Sequence, residues 1–167
     1  MGTYTCECCG KVLEDWPALA FKTPDTYYWL SNEDKAKSTL TDDFCVVNRE
    51  GEIYRFIRAV MFMKVIDSCQ ELQYGLWVSL SEASFNDYDE HFRGDENYKE
   101  SYFGWISNDI PEYDDFRSIP TTVVPQKDGI RPYIFPHQSF DHPLVADFYN
   151  GITKEEAEAR IKRMMGE

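Results

Sequence analysis

The stretch from Phe44 to Val65 constrains the fold more than any other. Two runs rich in β-branched and aromatic residues, Phe44–Asn48 and Glu52–Val65, flank Arg49-Glu50-Gly51, and a glycine-bearing turn between such runs is hairpin chemistry. Along the second run Tyr54, Phe56, Arg58, Val60 and Phe62 alternate with Ile53, Arg55, Ile57, Ala59 and Met61. Both sets are largely apolar, so this strand needs cover on both faces and is expected in the interior of a sheet. Arg58 stands out, because a guanidinium on an apolar strand face has to meet an acid, a carbonyl or an anionic ligand. It is expected to be buried and paired, with partners from the region around Asp141.

Further elements follow from the same patterning. Leu72–Leu80 reads as a strand, and Ser81 is a good N-cap for a helix running to about Phe92. Tyr102–Ser107 reads as another strand, and Thr121–Pro125 pairs with Ile130–Phe135 across Lys127-Asp128-Gly129. Ser31-Asn32-Glu33-Asp34 has capping-box spacing and predicts a short helix to about Leu40; Asp141 is expected to cap another that carries Leu144, Val145 and Phe148 and stops at Asn150-Gly151. A second capping box from Thr153 to Glu156 opens a last helix with Ala157, Ile161, Met164 and Met165 on its apolar stripe. Strands in meander order with helices at the edges and end predict an α+β fold, a mainly antiparallel sheet with flanking helices. No repeat or linker divides the 167 residues, so one domain is expected over 1–167: a knuckle segment at 1–20, a sheet core at 44–135 and C-terminal helices at 141–165.

The knuckle lies in Cys6-Glu7-Cys8-Cys9-Gly10-Lys11, where Cys6 and Cys9 stand at i and i+3. Such a pair on a tight turn brings two sulfurs to one tetrahedral ion, and Gly10 supplies the positive φ that the turn favours. Cys6 and Cys9 are therefore candidate zinc ligands. The remaining ligands are sought among Cys8, Cys45, Cys69, His137 and His142. Adjacent residues rarely bind one ion together, which ranks Cys8 low, and Cys45 at a strand start is the favoured completion. A thioredoxin-like redox dithiol lacks its βαβ context, since Pro17 argues against a helix behind the pair.

Charge excludes further classes. The net charge is −13, from 17 Lys+Arg against 30 Asp+Glu, and no long basic run offsets it, so nucleic acid is not an expected partner. The acidity suits solubility or a basic protein partner. No run approaches the roughly 18 apolar residues of a membrane span, and no signal-peptide core occurs. A cytoplasmic protein is expected, its five cysteines serving as free thiols or metal ligands and not as disulfides.

Catalytic signatures are missing: there is no Gly-x-Ser-x-Gly, no His-Glu-x-x-His and no phosphate loop. The acidic run from Asp87 to Glu96 has Phe92 where a calcium loop needs glycine, and it reads as a solvated helix face and loop. Trp77, Tyr102 and Trp105 are core residues by default, while Arg58, Trp77 and Trp105 form the candidate ligand-binding set.

The CxxCGK start, AFKTPDTYYWLSNEDKA, DDFCVV, YRFIRAV, YGLWVSLSEASF, YFGW and FDHPLVADFYNGIT together resemble a bacterial family known as domain of unknown function 2199, in collinear order over nearly the whole chain. The resemblance implies a cysteine pair at Cys6 and Cys9, a further cysteine at Cys45, an arginine at Arg58 and a histidine at His142, and it carries no activity with it. Where the family often has a histidine soon after the knuckle glycine, this chain has Leu13. The expected function is a non-enzymatic protein with a structural zinc site, ligands drawn from Cys6, Cys9, Cys45 and His142, and an acidic surface for protein binding. Two alternatives stand beside it: a small-molecule or hydrolytic site around Arg58, Trp77 and His142, and an immunity-type protein that neutralises a basic toxin.

Overall fold

A computed structural model describes residues 2–166. The chain opens with a hairpin of β1 (Thr3–Thr5) and β2 (Val12–Glu14), then β3 (Leu19–Ala20), two short helices α1 (Asp25–Tyr28) and α2 (Asn32–Ala36), and strands β4 (Thr39–Leu40), β5 (Phe44–Arg49), β6 (Glu52–Lys64) and β7 (Glu71–Leu80). Helix α3 (Glu82–Arg93) leads to β8 (Tyr102–Ile106), β9 (Ile119–Val124) and β10 (Tyr133–Pro136), and α4 (Pro143–Asn150) and α5 (Lys154–Met164) complete the chain.

The β5–β6 hairpin forms as its turn chemistry demands. Arg49 pairs with Glu52 across Glu50 and Gly51, whose φ angles of 54° and 81° are both positive. That is the two-residue loop whose twist matches the flanking strands. The β9–β10 hairpin likewise turns through Asp128 and Gly129 at φ 62° and 73°. β6 continues antiparallel into β7 from Arg55↔Leu80 to Lys64↔Glu71, which makes it the interior strand that its alternation implied.

The sheet is mainly antiparallel, as expected, but two of its pairings are parallel and make it mixed. β6 is 13 residues long and β5 only 6, so β5 covers the first half of the β6 edge and leaves the second half open. β10 takes that vacancy in parallel, with Tyr133 opposite Val60 and the Val60 N–H donating to the Pro132 carbonyl at 2.9 Å. The ring β6–β7–β8–β9–β10 thereby closes on itself as a five-stranded mixed barrel. β3 adds in parallel to β7 at Tyr74 and Gly75.

One face of each barrel strand builds the main core. Ile57, Ala59, Met61 and Met63 of β6 oppose Val78, Leu76, Tyr74 and Leu72 of β7, and Tyr102, Ile119, Val123 and Ile134 join them. Helices α3, α4 and α5 add Phe85, Leu144, Val145, Ala157 and Ile161. Burying each large aliphatic side chain of this set contributes roughly 1.5–3 kcal/mol. The opposite face of β6 is covered too, by a smaller cluster of Leu30, Cys45, Val47, Phe56 and Trp77, with Phe21 and Tyr27 packed on it. The segment from β3 through α2 supplies that cover.

Four local readings need correction. The helix begun by Ser31, whose Oγ accepts from the Asp34 N–H, ends at Ala36, and Thr39–Leu40 forms a strand against β5. His142, not Asp141, caps α4 through its ring nitrogen. Met164 and Met165 are exposed, and Arg160 occupies the buried stripe of α5 beside Ala157 and Ile161. Arg58 is only half-buried, and its partner is the Asp42 carbonyl, not a group near Asp141.

Candidate metal and thiol site

The tip of the β1–β2 hairpin is a knuckle. The Cys6 N–H donates to the Lys11 carbonyl and the Gly10 N–H donates to the Cys6 carbonyl, both at 2.8 Å. Gly10 sits at φ 70°, in the left-handed region where a side chain would be strained. This turn holds Cys6 against the body of the protein, 6% exposed, with Cys8 and Cys9 on the outer side.

The loop between β6 and β7 comes up to meet it. Cys69 from that loop forms a disulfide with Cys8, their Cα atoms 6.1 Å apart. Next to it the buried Gln70 side chain donates to the Glu14 carbonyl, a second tie between loop and hairpin. The sulfurs of Cys6, Cys8 and Cys69 all lie within 4.8 Å of one another. The Cys6 pKa falls below the ordinary thiol value, chiefly through the nearby Cys9 backbone N–H.

These sulfurs fit a metal in one of their two chemical forms. Zn–S bonds of about 2.3 Å at tetrahedral angles put thiolate sulfurs roughly 3.8 Å apart, so a group held within 4.8 Å closes on an ion with small movements. A disulfide offers no thiolate, and the Cys8–Cys69 bond has to be reduced before those two can ligate. The disulfide itself corrects the expectation of five unpaired cysteines.

The expected ligand set is only partly brought together. Of that set only Cys6 belongs to the sulfur group; Cys8 and Cys69 complete it, and not Cys9, Cys45 or His142. Cys45 is fully buried in the smaller core between strand and α-segment residues, and burial pushes its thiol up to about 12. His142 is 4% exposed with both ring nitrogens engaged: Nδ1 accepts from the Leu144 N–H and Nε2 donates to the Asp115 carbonyl, each at 3.0 Å. That hydrogen bonding gives the ring a capping role on α4.

The candidate ligand-binding residues do not converge either. Trp77 has no exposed surface; its N–H donates to Asn108 Oδ1 at 2.8 Å and its indole Nε1 donates to the Phe21 carbonyl at 3.0 Å. Arg58 lies across the strand pair with its guanidinium 5.8 Å from the Trp77 ring, and partial burial together with the nearby Arg131 charge lowers its pKa. Trp105 is 42% exposed on β8, where it packs against Phe103.

Two features have no clear mark in the sequence. One is Cys69, which carries no spacing signal because its approach to the knuckle depends on the β6–β7 register. The other is a groove of about 660 Å³ between β3, α1 and the segment after β8, with Phe21, Asp25, Tyr28, Trp29 and Asp109 among its lining residues. The aromatic run Tyr27-Tyr28-Trp29 was its available signal.

A family model described as an uncharacterized protein conserved in bacteria matches residues 5–152. No curated protein and no solved structure matches the chain. Among the described residues no helix is long and apolar enough to cross a membrane.

Proposed function

Because the chain belongs to the bacterial family of domain of unknown function 2199, which brings no chemistry with it, we propose a function from its own residues: a non-enzymatic binding protein stapled by a zinc knuckle. Cys6, Cys8 and Cys69 would be the zinc ligands. The observation that carries this reading is the grouping of three sulfurs from two distant chain segments within 4.8 Å. Zinc, when bound, supplies a cross-link between hairpin and barrel, and the protein's residues do the rest. The knuckle N–H groups of Cys8 and Cys9 favour thiolate at Cys6, and Gln70 holds the loop that carries Cys69. The thiolate form suits a reducing compartment such as the bacterial cytoplasm. The net charge of −13 supports a basic protein as the partner.

Metal analysis of protein purified under reducing conditions tests the staple. One zinc per chain is expected, lost in Cys6→Ser and in Cys69→Ser and retained in Cys45→Ser. Fully reduced protein that takes up no zinc would end the reading.

A further inference from the structure

The groove beside α1 has no cysteine in its lining, and its chemistry is that of a cation receptor. Trp29 is 80% exposed and Tyr28 62%, their rings edge to face at 4.9 Å. Exposed aromatic rings of this size at the rim of an apolar hollow cost hydration free energy with no return in the isolated chain. Phe21 and Ala20 line the apolar side.

Two carboxylates line the same groove. Asp25 is held in place, accepting from Asn108 Nδ2 at 3.0 Å and from the Asp109 N–H at 2.7 Å. The Asp109 carboxylate engages no hydrogen-bond or ion-pair partner among the described residues. Partial burial and then the Asp25 charge raise its pKa, and a cation placed beside it would offset both. Lys22 is the one cation among the lining residues, and its side chain is exposed. Asn108 fixes the walls: it bonds Trp77 of the barrel, the Thr23 carbonyl and Asp25 together.

We propose that this groove seats an arginine side chain from a basic protein segment, its guanidinium stacked on Trp29 and paired with Asp109. This rests on the reading of a basic partner and names where that partner docks. Arginine fits better than lysine because its planar fork can stack on an indole and meet a carboxylate at once. Charge complementarity selects the occupant, since two carboxylates in an apolar groove on a chain of net charge −13 disfavour acidic and neutral segments.

The test titrates the full chain with the acetylated, amidated peptide Gly-Gly-Arg-Gly-Gly while following the tryptophan indole signals by NMR. A selective shift of Trp29 is expected, and Trp29→Ala and Asp109→Asn should each weaken binding roughly five- to thirtyfold, read in the Trp29→Ala case from the Asp109 amide. An unmoved signal from the buried Trp77 reports that each variant is folded. Equal binding of the citrulline counterpart would assign the groove to a neutral segment and overturn the proposal. A dimer seen by sedimentation that Trp29→Ala dissolves would assign it to a second copy of this chain and overturn the proposal as well. Binding left unchanged in both variants would move the contact elsewhere on the acidic surface, removing the groove and keeping the basic partner. If neither this peptide nor hexa-arginine binds at low salt, the basic-partner reading falls with it.

Discussion

Arg160 is 4% exposed, yet its guanidinium is well supplied: Nη1 donates to the Tyr113 and Tyr74 hydroxyls at 3.0 and 3.2 Å, Nε to Glu156 at 3.0 Å and Nη2 to Asp147 at 3.4 Å. Removing it takes one donor from two buried hydroxyls and two carboxylates, although Glu156 keeps Arg163 and Asp147 keeps the Tyr113 hydroxyl. Arg160→Met should cost about 2–4 kcal/mol, below the loss of a fully buried pair because Glu156 and Asp147 retain contact with water. Arg58→Met should cost under about 1 kcal/mol, since its bond to Asp42 is long and exposed and its contact with Trp77 is a loose cation–π one. Urea midpoints compare the two, and equal losses would refute the ranking. The sequence points to the wrong arginine for an intelligible reason. Arg58 interrupts an apolar strand, whereas Arg160 sits among Glu155, Glu156 and Glu158 and looks solvated until Tyr74 and Tyr113 arrive from other elements. Thiol reactivity separates the cysteines in the same way. At pH 8 under native conditions iodoacetamide should label Cys9 and spare Cys45, which is fully buried and whose thiol is held up near 12; labelling of Cys45 at the same rate as Cys9 would contradict its core placement.

β3 is held by close approach at one glycine. A Cβ on Gly75 would lie 3.0 Å from the Ala20 Cβ and 3.3 Å from its Cα, so Gly75→Ala pushes β3 off β7 with no flexible side chain to yield. A loss of about 1–3 kcal/mol is expected, together with faster exchange of the Phe21 amide, which donates to the Gly75 carbonyl at 2.9 Å. Intact protection of that amide would show that β3 tolerates the methyl group. At the end of α3 the His91 Nδ1 meets Asp95 at 2.9 Å, with the Asp87 carboxylate 3.6 Å from Nε2. The Asp95 hydrogen bond chiefly raises the His91 pKa above its ordinary value of about 6.5. A folded pKa above the unfolded one gives stability that is fully present below the unfolded value and is lost as pH rises through the folded value. Asp95→Asn should bring the His91 titration down towards its ordinary range, measured by NMR, and an unmoved midpoint would exclude the pair as its cause. Short-range signals made most elements legible. Ser81 and Thr153 cap α3 and α5 through the hydroxyls that the sequence offers, while α4 takes its cap from His142, an atypical capping residue that no propensity rule would favour over Asp141.

At the scale of the whole molecule, what the sequence left unreadable is what depends on distant partners. The two hairpins carry their own turns at Glu50-Gly51 and Asp128-Gly129; the first forms as expected, and in the second the return strand begins at Tyr133 and not at Ile130. The pairing of β10 with β6, the addition of β3 to β7 and the approach of Cys69 to the knuckle have no local signature, because each is set by which edge or loop the rest of the chain leaves free. The candidate site was legible to the same degree: Cys6 and the Gly10 turn stand together in the sequence with Cys8, which adjacency to Cys9 ranked low, and Cys69, which completes the group, stands far from them. The junction of Val60 with Tyr133 has a kinetic meaning. It joins a strand at the heart of the sheet to one made much later in the chain, so a long loop has to close before a single pairing rewards it, and the ring should zip there last. By the same logic, this is where the protein should first breathe. The Val60 amide, bonded to the Pro132 carbonyl, should exchange with solvent hydrogen through a partial opening well below the global unfolding free energy, while amides bonded between β6 and β7 wait for complete unfolding. Exchange of Val60 only with the slowest core amides would mean that the seam and the hairpins form one cooperative unit.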